Sequence, residues 1–159
     1  MKPYADTNLF TRLYLDLPAS DEADALVELA RSGTAEPLPV SWLHRVETTN
    51  AFELSIFLGR SPEHPRVSPE QAAIALATFR EDIGAESFLR PVRLPDAVLE
   101  RQFDELALRF TARHGFRTYD ILHVASALVL ECDFFWSFDE RALRLAKLSG
   151  LRIPARKTR

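Results

Sequence analysis

The chain holds a single cysteine, Cys132, among 159 residues. This excludes an internal disulfide and any zinc site built on several cysteines, and it agrees with a reducing compartment. Long uninterrupted hydrophobic runs are missing as well: the longest apolar stretch, Ile121 to Trp136, contains His123, Glu131 and Asp133. Such a stretch is a buried element, because a membrane span needs about 20 predominantly apolar residues. The N-terminus lacks the apolar segment of a signal peptide, since Asp6 falls where that segment would lie. A cytoplasmic location is the resulting expectation. Basic charge is in short supply too, with a net charge of −3 and a pI near 5.8, so the electrostatic footprint of a nucleic-acid binder is absent. One local exception is the tail "RIPARKTR", where Arg152, Arg156, Lys157 and Arg159 occur with no acid. It is read as a solvated end.

What is present is the make-up of a soluble globular protein, 47% hydrophobic and 27% charged. The length suits one domain, 1–159, with a sizeable core. Short apolar segments alternate with longer helix-like ones, the pattern of an α/β domain. A first strand is predicted from Pro3 to Asp6, with a helix following through Leu9, Leu13 and Leu17 to Pro18. A second helix runs from Ser20, its N-cap, to Ser32, with Leu26, Leu29 and Ala30 on one face and Gly33 at its end. "EPLPVSW" reads as a strand with prolines at its entrance. Helices are predicted over 43–58 and, after a proline-rich turn, over 69–83. "SFLRPVRL" reads as an edge strand, because Pro91 has no donor. A long helix over 95–114 ends at Gly115, "TYDILHVASALVLE" forms another, "FFWSF" is a strand, and "DERALRLAKLSG" closes the chain as a helix ending at Gly150.

Four acids stand in unusual places. In the helix from Leu43 the apolar stripe is Leu43, Val46, Ala51, Leu54, Phe57 and Leu58, and Glu47 and Asn50 lie inside it. A carboxylate on a core-facing surface costs several kcal/mol unless it is paired or bound to a cation. A salt bridge to an arginine is the ordinary explanation. Asp6 follows the first strand, Asp139 follows "FFWSF", and Asp120 lies in the first turn of its helix. Each has a structural reason, since an acid at a helix N-terminus adds roughly 0.3 to 1 kcal/mol through the dipole. Ser137 with Glu140 also makes the capping-box pattern S-x-x-E. Taken together they say more, because the carboxyl ends of strands in an open α/β sheet converge on the edge where ligands bind. Two carboxylates about 4 Å apart repel by roughly 4 kcal/mol at an effective dielectric near 20. Four crowded carboxylates call for a cation, and oxygen-only donors favour Mg²⁺ or Mn²⁺.

"YADTNLF", "VETTNAF", "TYDILHVASAL" and "WSFDERALRLAKLSGL" resemble, in this order, the four acid-bearing motifs of PIN-domain ribonucleases, particularly the VapC toxins. The likeness covers most of the chain; from about Ser61 to Arg113 only helical character and length match. It implies a three-layer α/β/α sandwich around a central, mostly parallel sheet, and an Mg²⁺- or Mn²⁺-dependent endoribonuclease. Asp6, Glu47, Asp120 and Asp139 match the family's metal-binding acids, with Asp6 and Asp120 as principal ligands. Asn8 and Ser137, the latter where many relatives have threonine, match its supporting polar residues. The resemblance further implies an RNA substrate, a cognate antitoxin protein and a homodimer.

Two other readings compete. A phosphatase with an aspartate nucleophile would want D-x-D after the first strand, whereas Asn8 holds the second place. A non-catalytic PIN-like module would bind RNA or protein without cutting, although such members usually lose acids and all four are filled here. Other residues are read more plainly. His123 is expected as a packed core residue whose ring nitrogen finds a carbonyl. Arg113, His114 and Arg117 could meet substrate phosphates or simply end a helix. Phe10, Leu13, Tyr14, Leu26 and Leu29 could line a groove for a partner helix, with ordinary core the expected role.

Overall fold

Strands β1 (Pro3–Ala5) and β4 (Phe134–Trp136) pair in parallel, Tyr4 opposite Phe135 and Ala5 opposite Trp136. Strands β2 (Leu38–Val40) and β3 (Leu89–Pro91) form a second parallel pair with Leu38 opposite Leu89. The computed structural model describes residues 1–18 and 20–155. Its helices are α1 (Thr7–Leu15), α2 (Ser20–Arg31), α3 (Trp42–Leu58), α4 (Pro69–Ala85), α5 (Asp96–Leu106), α6 (Ala112–His114), α7 (Thr118–Val129) and α8 (Glu140–Leu148). The sequence assigns Ser20 as the N-cap of α2, and the helix already begins at Ser20; the position before it, and Arg156, Lys157 and Arg159 of the basic tail, lie outside the described residues.

β1 and β2 lie side by side, yet no hydrogen-bonded ladder joins them. Proline explains the gap. Leu38 N donates to the Phe88 carbonyl and Val40 O accepts from Val92 N, so Pro39 is the residue of β2 that points toward β1. On β1, Lys2 O and Asp6 N bond toward β4, which leaves Pro3 and Ala5 facing β2. Neither proline has an N–H to give. The Ala5 carbonyl is instead taken by the Nε2–H of His44, at 2.9 Å. Prolines expected only at the entrance of β2 therefore reach its centre, and a side chain replaces the missing backbone bond.

Alternation along the strands sends side chains to two cores. Tyr4 and Phe135 pack with Leu99, Ile121, Val124 and Leu145 of α5, α7 and α8. Ala5, Leu38, Val40 and Leu89 pack with Phe10, Leu26 and Phe79 of α1, α2 and α4. The outcome is the expected α/β/α sandwich around parallel strands. Phe10 and Leu26 are core, as expected, but Leu29 is 37% exposed and Val27 takes its place inside.

Helix ends follow local chemistry. Ser68 and Gln71 form a capping box ahead of Pro69, and Gly115 and Gly150 sit at φ 68° and 87°, where a side chain would be strained. The helix predicted over 95–114 is not uniform: α5 passes through a wide π-turn, Ala107–Thr111, into α6.

Helix α3 reverses the orientation expected from its apolar stripe. Val46 is 54% and Phe57 61% exposed, with Trp42, Leu54 and Leu58 also outward. Its buried residues are Leu43, His44, Thr48 and Phe52. Glu47 lies on the inward side among these, flanked by polar groups and not by the apolar stripe.

Candidate active site

Asp6 ends β1 and caps α1. Its Oδ1 accepts from Asn8 N at 3.0 Å, and its Oδ2 accepts from Asn8 Nδ2 at 3.3 Å and from Ser137 Oγ at 2.5 Å. The side chain is almost fully enclosed, at 4% exposure. Burial pushes its carboxyl up from the ordinary value, against the opposing pull of His123 and of the Ser137 and Asn8 hydrogen bonds; Glu47 adds to the rise.

Ser137 joins two of the predicted acids. Its hydroxyl donates to Asp6 and accepts from Asp139 N at 2.8 Å. The capping box expected from Ser137 and Glu140 is not the cap of α8. Asp139 is the N-cap, accepting from Arg141 N at 2.7 Å, while the Ser137 hydroxyl accepts from the N–H of Asp139 itself. Asp120, in the first turn of α7, accepts from Arg117 N at 3.0 Å.

Glu47 has partners, though not the arginine of the ordinary explanation. Thr7 Oγ1 donates to its Oε2 at 2.6 Å, and His123 Nε2 lies 2.5 Å from the same oxygen. Burial works against its charge, but the His123 hydrogen bond and charge, with Thr7, outweigh it and hold the carboxyl below its usual range. His123 is buried as expected, but its nitrogens meet Glu47 and the Tyr4 hydroxyl, the latter 2.9 Å from Nδ1, in place of a carbonyl. The histidine that finds a carbonyl is His44, whose Nδ1 lies 3.1 Å from Ser41 N. A ring accepting at Nδ1 and donating at Nε2 is neutral, and burial accordingly pulls the His44 pKa down to about 3.

All four acids line one cleft of about 280 Å³, together with Thr7, Asn8 and His123. Arg117 and the exposed ring of Tyr119 stand on the same cleft, whereas Arg113 and His114 are not among its lining residues. Among the described residues, no lysine or arginine is ion-paired with any of the four. Carboxylates without such partners fit a hard divalent cation in their chemistry. They are not gathered for it, however: among the described residues no three His, Cys, Asp or Glu side chains are grouped to hold one ion. Each acid is also tethered locally to a hydroxyl, amide or imidazole.

Sequence reasoning missed the roles of Tyr4, Thr7, His44 and His123. A signal for two of them exists: His44, Glu47, Thr48 and Ala51 recur at three- and four-residue steps, a second stripe beside the apolar one, and His123 falls one turn after Asp120.

No family model matches the chain, and no curated protein does. Among solved structures, the chain is similar to one in the crystal structure of VapBC2 from Rickettsia felis bound to a DNA fragment from their promoter. The TM-score is 0.60 at 16% identity, over 97% of this chain and 98% of that one. A likeness of that kind establishes the shared fold, the α/β/α sandwich built above.

Proposed function

We propose that this protein is a divalent-metal-dependent endoribonuclease, the toxin of a toxin–antitoxin pair acting in the cytoplasm. The observation that carries the reading is the cleft itself: Asp6, Glu47, Asp120 and Asp139, from four separate places in the chain, line it, and among the described residues no lysine or arginine is ion-paired to them. The fold shared with a chain of a VapBC2 complex supports the toxin assignment. An antitoxin protein would be the partner, and a homodimer the assembly, both on the strength of the motif resemblance.

Asp6, Glu47, Asp120 and Asp139 would hold Mg²⁺ or Mn²⁺, which when bound activates water and offsets charge on the scissile phosphate. The chain's own residues supply placement. Asn8 and Ser137 fix Asp6 from both sides, Arg117 offers a guanidinium to the RNA backbone, and the Tyr119 ring offers a face on which a splayed base can stack. The only thiol, Cys132, lies buried against the Pro3 carbonyl with its pKa raised by burial to about 11, so it is no nucleophile. Asp6 is equally ill suited to attack phosphorus itself, being enclosed with both oxygens hydrogen-bonded, which disfavours the phosphatase reading.

One observation favours a second reading, the non-catalytic RNA- or protein-binding module: the carboxylates are not grouped around a point. Incubation of the purified protein with total RNA, with Mn²⁺ or with chelator, separates the two. Metal-dependent cleavage by the wild type and none by Asp6→Asn supports the ribonuclease. Cleavage that survives Asp6→Asn overturns the site assignment, and no cleavage with no Mn²⁺ binding favours the module.

A further inference from the structure

Glu47 differs from the other three acids in how it is held. Both of its donors, Thr7 Oγ1 and His123 Nε2, bond to one oxygen, Oε2, and Oε1 has no hydrogen-bond partner among the described residues. The donors come from α1 and α7, so the carboxylate of α3 is gripped from two helices at once. His123 is gripped in turn: its Nδ1 lies 2.9 Å from the hydroxyl of Tyr4, a fully buried residue of β1 stacked on Phe135 at 5.6 Å between ring centroids. Beyond His123 stands His44, its ring centroid 5.2 Å away, tied to the Ala5 carbonyl that precedes Asp6.

We propose that His123, oriented by the Tyr4 hydroxyl, is a positioning residue that pins Oε2 of Glu47 and presents Oε1 alone to the cleft as a one-oxygen ligand. The inference rests on the metal-dependent reading above. Its chemistry follows from the order of donors along the chain of bonds. An ionised Glu47 carboxylate can only accept, so the imidazole Nε2 carries a proton and donates it to Oε2. The opposite ring nitrogen, Nδ1, is held 2.9 Å from the Tyr4 hydroxyl, and the two contacts together fix how the ring lies. This is the arrangement by which an outer hydrogen bond fixes both the direction and the charge of a metal-binding carboxylate. Thr7 alone would leave the carboxylate free to turn about a single bond. With the imidazole added, its plane is set.

Three variants test the proposal: His123→Leu, which removes the donor; His123→Gln, whose side-chain amide can reach the place of Nε2; and Tyr4→Phe. Mn²⁺ affinity is read from the electron paramagnetic resonance signal of free Mn²⁺, beside a thermal melt of each protein. His123→Leu should weaken Mn²⁺ binding by roughly 10- to 100-fold, and His123→Gln should restore most of it even if both melt lower than wild type. Tyr4→Phe should fall between them. A purely structural histidine would lower the melt of both His123 variants and leave Mn²⁺ affinity unchanged, or lower it equally in both; either result overturns the proposal. A second readout needs no metal: imidazole ¹⁵N shifts of the metal-free wild type should place a proton on Nε2 of His123. A proton found only on Nδ1 overturns the inference whatever the metal does. Wild-type protein that binds no Mn²⁺ would sink the proposed function while this readout still decided the hydrogen-bond order.

Discussion

On helix α3, Val46, Leu54 and Phe57 stand in solvent while His44, Glu47 and Thr48 turn inward. A helix packed only for burial would be built the other way round. The inward polar groups are tolerable because almost all of them are satisfied: His44 by Ser41 and Ala5, Glu47 by Thr7 and His123. Thr48 Oγ1 is the exception, buried without a hydrogen-bond partner among the described residues. The inward face is therefore held by specific bonds as well as by the packing of Leu43 and Phe52. The outward face carries apolar area that the described chain leaves uncovered.

The sharpest way to break this comparison is to remove the charge the inward face leans toward. Asp6→Asn should reduce metal-dependent RNA cleavage to background while the protein stays folded, as read by gel analysis of total RNA beside circular dichroism. Retained cleavage would mean that the cleft built by α1, α3, α7 and α8 is not where RNA is cut. Next in size is the buried apolar anchor of the same helix. Phe52, 1% exposed, packs with Leu15, Val67, Ala72 and Ala75, so Phe52→Ala should cost about 3 to 5 kcal/mol in urea unfolding. A cost below about 1 kcal/mol would show that the hydrogen bonds alone hold α3 in place.

These two residues also mark what could be read from the sequence. Local signals carried well: Asp6 and Asp139 at helix starts, the helix opening at Pro69, and the glycine stops at 115 and 150 all depend on neighbours within a few residues. The alternation of strands and helices carried the α/β/α sandwich. The orientation of α3 did not carry, because it depends on His123, 76 residues further on, and on Thr7, 40 residues before Glu47. An apolar stripe signals a face that would gain from burial; it does not say that the chain itself buries it. The break between β1 and β2 was hidden for a related reason. Pro39 matters only because hydrogen-bond parity turns it toward β1, and parity is known once both neighbours are placed. The capping role expected of Ser137 gave way to a bond with Asp6 that spans 131 residues and leaves no local trace in the sequence.

A pH experiment sharpens the contrast between two acids of one cleft. The Asp6 carboxyl is raised, chiefly by burial, so its contribution is most favourable below the ordinary aspartate value and is lost as pH rises through the folded-state value. The Glu47 carboxyl is lowered despite its burial, because His123 and Thr7 favour the charged form. Its contribution is present above the ordinary glutamate value and is lost as pH falls through the folded-state value. Between acid and neutral pH, the stability of Asp6→Asn relative to wild type should therefore climb, and that of Glu47→Gln should decline. Urea midpoints measured in chelator across that range give both slopes, and slopes of the same sign would contradict the assignment of opposite environments.

The smallest expected effect lies on the outward face. Phe57 is 61% exposed, with the Arg60 guanidinium 5.6 Å from its ring centroid, so Phe57→Gln takes little apolar surface from a packed setting. Its stability should stay within about 0.5 kcal/mol of wild type, in the range usual for surface substitutions. Because Phe52 and Phe57 share a helix, the pair of substitutions holds helix propensity nearly constant and isolates burial as the variable. A loss at Phe57 above about 1 kcal/mol that also varied with protein concentration would show the outward stripe packed against a second copy, since a contact between chains adds stability by mass action and one within the chain does not. The inverted polarity of α3 would then describe a helix with two buried faces, one closed by its own chain and the other by its neighbour.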